Sequence, residues 1–165
     1  MPYLRLKSLM LCISGLLLVS CASLRPVDRK HGEVSPRWEQ QRSSLVKHAR
    51  KYLGTPYRYG GTNGRGFDCS GLVQTVYQDQ HVALPRSARA QSAYGHKIDA
   101  HRAQPADLAF FSVRGKVDHV ALVTKVRHGE LWVIHSTTSR GVVHEEVLGS
   151  SYWSKRLREV RDVLN

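Results

Sequence analysis

A chain of 165 residues, 41% hydrophobic and 23% charged, has a globular composition, which excludes collagen-like repetition and wholesale disorder. Apart from N-terminal targeting residues, it has room for one compact domain of about 120 residues. The net charge of +12 is spread along the chain, which favours attraction to anionic envelope polymers or lipid head groups. The sequence carries no aromatic-plus-basic motif of the kind that binds nucleic acid, so no nucleic-acid partner is expected.

Residues 1–20 are laid out as a secretory signal peptide. Arg5 and Lys7 precede an apolar run from Leu9 to Val19, which is shorter than the roughly 20 residues that span a bilayer. A short membrane anchor or a buried strand is the alternative interpretation. Leu18-Val19-Ser20-Cys21 resembles the bacterial lipobox, whose cysteine becomes the acylated first residue of the mature protein.

The lipobox leaves a single usable thiol. Cys12 would leave with the signal peptide and Cys21 would be acylated, so the mature protein would keep Cys69 and form no internal disulfide. A lone thiol in an oxidising compartment favours a catalytic use. Ala22 fits sorting to the outer membrane by resemblance to other lipoproteins. The polar residues 21–36 are predicted to be a flexible tether, and residues 37–165 the folded domain.

The first predicted helix begins near Ser35-Pro36, a pair that suits an N-cap and a first-turn proline. Apolar residues recur at helical spacing until Gly54 ends the pattern: Leu45, Val46, Ala49, Tyr52 and Leu53. A glycine-rich loop follows over 55–66. Because the loop lacks the Gly-Lys-Ser/Thr ending of a phosphate cradle, nucleotide binding is not expected.

A second helix is predicted from Cys69 to about Gln78, with Asp68 as its N-cap and a buried apolar stripe. Cys69 then lies in the first turn, where free backbone N–H groups and the positive end of the helix dipole favour a thiolate. The alternative is a small buried cysteine that fills core space. The preceding glycine loop and the polar neighbours Asp68 and Ser70 favour exposure and catalysis.

Beyond a short helix predicted over Ser87–Tyr94, the periodicity becomes that of strands. Strands are predicted over 107–111, 117–125, 130–136 and 141–147, and the middle pair forms a hairpin. The stretch from Tyr152 to Leu164 is ambiguous. Helices followed by an antiparallel sheet predict an α+β domain.

Two histidines on the hairpin could serve the thiol as base and as orienting group. A two-residue turn at His128-Gly129 would place His119 and His135 on opposite faces of the sheet. A three-residue loop, Arg127 to Gly129, would instead set His135 opposite Ala121. The two histidines would then share a face, with Cβ atoms about 7 Å apart. We therefore expect the three-residue loop.

A metal site is the rival use of these side chains. One thiolate and two histidines that are distant in sequence are few ligands for a metal ion, and neither Cys-x-x-Cys nor His-Glu-x-x-His occurs. No metal and no other cofactor is expected.

Six stretches, in order and covering about Leu45 to the end, strongly resemble the NlpC family of papain-like peptidases. They are Gly54-Thr55-Pro56-Tyr57-Arg58-Tyr59-Gly60-Gly61, Asp68-Cys69-Ser70-Gly71-Leu72-Val73, Leu84-Pro85-Arg86-Ser87, Pro105-Ala106-Asp107-Leu108, Asp118-His119-Val120-Ala121 and Ile134-His135-Ser136. The resemblance implies a papain-like fold, with helices packed on an antiparallel sheet and the nucleophile at a helix N-terminus. It is closest to the family's short murein endopeptidase lipoproteins.

The resemblance also implies roles for single residues. Cys69 is the nucleophile, His119 the general base, and His135 the group that orients His119. Tyr57 stands beside the nucleophile, where its hydroxyl binds substrate or steadies the oxyanion. Two further residues line the substrate groove, Asp68 and Ser70. Ala121, where the family often has glycine, and Asp118 depart from the pattern and bear on groove shape.

The function expected is cleavage of peptidoglycan stem peptides or cross-links through a thioester acyl-enzyme, by a monomer held to the outer membrane, facing the periplasm, by lipidated Cys21. An amidase or acyltransferase with the same triad is one alternative. A catalytically silent lipoprotein that binds the cell wall is another. The intact set of Cys69, His119 and His135 favours an enzyme.

Overall fold

The computed structural model describes residues 36–113 and 115–164. The α-helices of this part are α1 (Pro36–Arg50), α2 (Cys69–Gln78) and the short α3 (Ala88–Gln91), and two 3-10 helices cover Ala100–Arg102 and Ser154–Arg156. Its strands are β1 (Thr62–Asn63), β2 (Gly66–Phe67), β3 (His96–Ile98), β4 (Leu108–Ser112), β5 (Val117–Arg127), β6 (Glu130–Thr137), β7 (Gly141–Glu146) and β8 (Leu157–Asp162). The six strands from β3 to β8 form one antiparallel sheet in the order β3-β8-β4-β5-β6-β7. The predicted α+β class is confirmed.

The helix α1 packs on the sheet through a charged anchor as well as through apolar residues. Leu45 and Ala49 are fully buried. Arg42, also buried, donates to Asp107 at 2.6 Å and to Asp162 at 2.8 Å. Because a buried charge is costly unless it is paired, these contacts hold the helix in one position over the sheet. Among the described residues, no helix combines the length and the apolar character needed to cross a membrane.

The start of α2 is fixed by a close approach between two glycines. A Cβ atom at Gly71 would lie 2.1 Å from the carbonyl oxygen of Gly61, so only glycine lets the preceding loop cover the first turn of the helix. Asp68 caps the helix by accepting from the backbone N–H of Gly71 at 2.7 Å. The first residue of α2, Cys69, is thereby held in place from both sides.

Alternate residues of the central strands face opposite sides of the sheet and build two separate cores. The core on the helix side includes Leu45, Leu72, Phe110 and Leu122. The core on the other side includes Phe111, Ala121, Val133 and Trp153. The side chains of His119 and His135 face the same side of the sheet as this second core and pack against Trp153.

The β5–β6 hairpin differs from the prediction in its turn. Arg127 pairs with Glu130, and both residues between them, His128 and Gly129, have positive φ angles of 51° and 82°. The connection is a two-residue turn of the type that suits hairpins. The predicted three-residue loop is therefore wrong.

A bulge at Thr124 produces the register that the loop was expected to give. Val123 pairs with Val133, but the next pair is Lys125 with Trp132, so Thr124 is an extra residue in β5. The shift carries on to the pair Leu122 and Ile134, and the next residue, His135, stands opposite Ala121. The expected shared face is present, although the turn is not its cause.

The remaining elements refine the other expectations. The helix predicted over Ser87–Tyr94 is helical only from Ala88 to Gln91, with Ser87 as its N-cap. The ambiguous C-terminal stretch contains β8, which lies between β3 and β4 in the sheet. The predicted signal peptide, Cys21 and residues 21–35 of the predicted tether lie outside the described residues. Pro36, predicted as the end of the tether, is the first residue of α1.

Candidate active site

A groove of about 700 Å³ crosses the end of α2 and the sheet. Cys69, His119, Tyr57 and Trp153 line it, together with Arg140 and Glu145. The structure thus brings the predicted nucleophile and the predicted base into one groove, from elements 50 residues apart along the chain. A second pocket of about 430 Å³ adjoins it and shares Tyr57, Cys69 and Asp118.

Cys69 lies at the N-terminus of α2, half-buried, with its Sγ 3.9 Å from the carbonyl oxygen of Asp118. Burial raises the pKa of the thiol above 9.0, as does the charge of Asp68, while backbone N–H groups of Val120, Ser70 and Cys69 act to lower it. Burial prevails, so the free thiol is protonated at neutral pH. This differs from the sequence-based expectation that the helix terminus would favour a thiolate.

His119 and His135 are in direct contact. Nε2 of His119 lies 2.9 Å from Nδ1 of His135, and the two rings meet edge to face. Since Nε2 is occupied in this way, Nδ1 is the nitrogen of His119 left for the thiol. Burial, reinforced by His135 and opposed by the charge of Glu145, lowers the pKa of His119 from 6.5 to about 3. His119 is therefore neutral at pH 7 and able to accept a proton.

The second ring nitrogen of His135 is bonded to a carboxylate that the sequence did not single out. Nε2 of His135 lies 2.7 Å from Oε1 of Glu145 on β7. Arg140 donates to both oxygens of Glu145 at 2.6 Å, and Trp153 donates through Nε1 to Oε1 at 3.2 Å. An unbroken chain of polar contacts thus runs from His119 to Arg140.

Trp153 forms an aromatic cover over the two histidines. Its ring stacks on His119 at 4.7 Å between centroids, with an interplanar angle of 24°, and stands 4.9 Å from His135. Phe111 supports Trp153 from the sheet at 5.1 Å. These rings limit the access of water to His119, which is the physical reason for its lowered pKa. The tryptophan follows no strand or helix periodicity, so the pattern carried no signal for it.

Asp68 and Ser70 lie beside the nucleophile, but their polar atoms already have partners. Arg86 donates to both oxygens of Asp68, at 3.0 and 2.5 Å, and Gly60 donates its backbone N–H at 3.0 Å. The Ser70 hydroxyl donates to Asp68 at 3.1 Å. Burial disfavours the charged carboxylate, but the bonds from Arg86 and Gly71 prevail and lower its pKa. Their predicted contact with substrate stays a prediction.

Tyr57 is the predicted substrate residue that faces both pockets. Burial raises the pKa of its hydroxyl, and the neighbouring Cys69 and Asp68 add to that effect. The hydroxyl therefore keeps its proton at neutral pH and can donate a hydrogen bond beside the sulfur. Within 36–113 and 115–164, no three His, Cys, Asp or Glu side chains are grouped so that they could hold a metal ion.

The sequence model of the NlpC/P60 family matches residues 54–162. The probable endopeptidase of Haemophilus influenzae is 33% identical over 162 residues, which cover 95% of this chain and 98% of that protein. The murein DD-endopeptidase MepS/murein LD-carboxypeptidase of Escherichia coli is 31% identical over 125 residues, or 75% of this chain and 64% of that protein.

A solved structure gives the same picture. The crystal structure of an NlpC/P60 family protein from Bacillus cereus superposes with a TM-score of 0.67 and 32% identity, over 75% of this chain and 40% of the other. The likeness confirms the predicted papain-like α+β fold. The chain spans less than half of this structural relative and just under two thirds of the E. coli protein.

Proposed function

We propose that this chain, which belongs to the NlpC/P60 family, is a cysteine endopeptidase that hydrolyses peptide bonds of peptidoglycan. The observation that carries the proposal is the groove that is lined both by a helix-terminal thiol and by a neutral histidine, which is itself held by a second histidine. The similar E. coli protein is a murein DD-endopeptidase and murein LD-carboxypeptidase, and the similar Haemophilus protein is a probable endopeptidase.

In the proposed mechanism, Cys69 is the nucleophile and His119 the general base. The sulfur attacks the peptide carbonyl while its proton passes to Nδ1 of His119, and a C–S bond forms as the carbonyl π pair moves to oxygen. The oxyanion can accept from the backbone N–H groups at the start of α2 and from the Tyr57 hydroxyl. His119 then protonates the leaving amine as the C–N bond breaks.

The second half of the cycle returns the enzyme to its resting state. Water attacks the thioester and gives a proton to His119, the C–S bond breaks, and the sulfur takes that proton back. The resting pair is neutral, because burial raises the pKa of Cys69 and lowers that of His119. Proton transfer therefore accompanies attack and does not precede it.

The groove is open at the surface and receives an extended peptide across the sulfur. Its two sides differ: one carries Arg140, Tyr152 and Trp153, and the adjoining pocket carries Arg86 and Arg89. Arg140 and Arg86 already pair with Glu145 and Asp68, so Arg89 is the cation of the adjoining pocket that suits a carboxylate of a peptidoglycan stem peptide. The substrate class proposed is thus an acidic, extended peptide of the cell wall.

Digestion of isolated peptidoglycan by the purified full chain tests this function. Wild type should release peptides with new amine and carboxylate termini, identified by mass spectrometry, and Cys69→Ala should release none. The proposal fails if wild type cuts no peptide bond, or if Cys69→Ala cuts as well as wild type. Transfer of the acyl group to an added amine in preference to water would indicate an acyltransferase with the same residues.

We also propose that residues 1–20 are a lipoprotein signal peptide and that acylated Cys21 holds the mature chain at the outer membrane, facing the periplasm. The support is the lipobox-like Leu18-Val19-Ser20-Cys21 at the end of an apolar run. Cys21→Ala should release the chain from the membrane fraction without loss of peptidase activity. A native protein that mass spectrometry shows to be unacylated and membrane-free would contradict the anchor.

A further inference from the structure

We propose that Glu145 is a positioning residue that sets the tautomers of both histidines, although it touches neither the thiol nor the base. The inference rests on the proposed function, in which His119 accepts the proton of Cys69. A base in that place needs an unprotonated nitrogen facing the sulfur. Glu145, which is separated from the thiol by the rings of His135 and His119, enforces this condition.

The strand register brings Glu145 to His135. On the β6–β7 ladder, Val133 pairs with Glu145 and His135 pairs with Val143, so Glu145 is the diagonal neighbour of His135 on one face of the sheet. The His135 side chain is fully buried. Its Nε2 therefore has the carboxylate at 2.7 Å as its hydrogen-bond partner.

The tautomers follow from the number of protons available. An ionised carboxylate can only accept, so Nε2 of His135 must carry a hydrogen. In a neutral ring, Nδ1 of His135 is then a lone pair and must accept from Nε2 of His119 across the 2.9 Å contact. His119 consequently has its proton on Nε2 and a free lone pair on Nδ1, the nitrogen left for Cys69.

Arg140 makes this arrangement possible. If His135 carried protons on both nitrogens, it would donate to His119, whose own proton would move to Nδ1 and block the base. Arg140 balances the negative charge of Glu145 through two bonds of 2.6 Å, so the carboxylate stays ionised and needs no second proton on His135. The bond from His135 and those from Arg140 also lower the pKa of Glu145 to about 2.

The geometry of the carboxylate is fixed by its donors. Oε1 receives His135, Arg140 and the Nε1–H of Trp153 at 3.2 Å, while Oε2 receives Arg140. Three donors converge on one oxygen, so the side chain has no freedom to turn away from His135. Trp153 thus covers the His119 ring and also fixes the group that sets its tautomer.

Nuclear magnetic resonance of the full chain labelled with ¹⁵N-histidine tests the proposal, since ring ¹⁵N shifts report which nitrogen carries the proton. At neutral pH the wild type should show His135 protonated on Nε2 alone and His119 protonated on Nε2 alone. Glu145→Gln removes the charge and should leave His135 in a mixture of tautomers. Its kcat/KM on a wall peptide should fall about 10-fold or more, less than the roughly 10⁴-fold loss when the carboxylate beside a serine-triad histidine is neutralised.

Glu146→Gln is the matched control, because it makes the same change one residue along β7. Glu146 accepts from the backbone N–H groups of Leu131, Leu148 and Gly149 and does not contact the histidines. It should change the melting temperature but neither the tautomers nor kcat/KM. Glu145→Asp, which keeps the charge, should restore part of the activity that Glu145→Gln loses.

Two results would overturn the proposal: a wild-type His135 protonated on Nδ1 or on both nitrogens, or a Glu145→Gln variant with unchanged tautomers and kcat/KM. If Glu145→Gln did not fold, the wild-type spectrum alone would decide. The two proposals fail separately. A wild type that cuts no wall peptide overturns the peptidase function, whereas an active wild type with the wrong tautomers overturns only the role of Glu145.

Discussion

The two sides of the groove are built from different ranges of the chain. The thiol wall, formed by residues 57–71 with Arg86, is nearly continuous in sequence and is closed by the helix cap of Asp68 and its salt bridge with Arg86. The base wall consists of His119, His135, Glu145 and Trp153. Its members come from three strands and a loop, so their positions depend on long-range pairing.

The difference teaches where precision comes from in this site. The thiol wall is set by local contacts such as the bond from Gly71 to Asp68, which form whenever α2 forms. The base wall is set by register, because side chains alternate with period two and one extra residue turns a strand over. The single bulge at Thr124 decides whether the two histidines meet.

The largest expected effect is on the base wall. His119→Ala should lower kcat by about 10²-fold or more, since a positioned general base contributes about 10²- to 10⁴-fold. His135→Ala should cost less, because water can partly replace an orienting group. Turnover of a wall peptide measures both, and the exposed His101→Ala provides the control. Equal activity of His135→Ala and wild type would remove His135 from the base wall.

An intermediate effect is expected on the thiol wall, in stability more than in chemistry. Asp68→Asn keeps a cap for α2 but sets amide hydrogens against the donors of Arg86 and Gly60. We expect the free energy of unfolding to fall by about 1–3 kcal/mol, measured by urea denaturation at pH 7. Asp79→Asn, at the exposed other end of α2, should cost about 0.5 kcal/mol or less.

The pH dependence of that loss has a definite sign. The pKa of Asp68 lies below 3.8 in the folded chain, so its contribution is complete above that value and disappears as the pH falls through the lowered pKa. The difference between wild type and Asp68→Asn should therefore shrink in acid. If both aspartate variants lost the same stability at pH 7, the thiol wall would not depend on its cap.

The same contrast explains what the sequence predicted. Asp68, Cys69 and the extent of α2 were predictable because a cap, an apolar stripe and a glycine loop are local signals. The shared face of His119 and His135 was predicted for a wrong reason. A turn can be recognised in the sequence by its glycine. The bulge at Thr124 cannot, because β5 is apolar on both faces there and an extra residue does not disturb any visible alternation.

The residues that were missed are all non-local. The sequence predicted a strand that contains Glu145, and alternation along that strand predicts which face its side chain occupies. A contact with His135 follows only from the β6–β7 register, which the sequence does not give. Trp153 lies in a loop and had no periodic signal. The sequence of β8 was ambiguous because its residues form a strand through pairing with β3 and β4, which lie on either side of it in the sheet.

The smallest effect is expected in the reactivity of the resting thiol, which shows whether Cys69 gives its proton to His119 before substrate binds. Burial raises the pKa of Cys69 above 9.0 and lowers that of His119 to about 3, so both groups are neutral at pH 7. Alkylation by iodoacetamide should then be slow at neutral pH and accelerate as the pH rises towards the thiol pKa. His119→Ala should leave this profile nearly unchanged, although it removes almost all turnover.

A preformed thiolate–imidazolium pair would behave differently. It would give a fast alkylation rate that is constant across neutral pH, and His119→Ala would abolish that plateau because the thiolate would lose its cation. The comparison of the two profiles therefore separates proton transfer during attack from proton transfer at rest. A plateau in wild type would show that the charges of the helix terminus, not burial, decide the state of Cys69, as the sequence alone suggested.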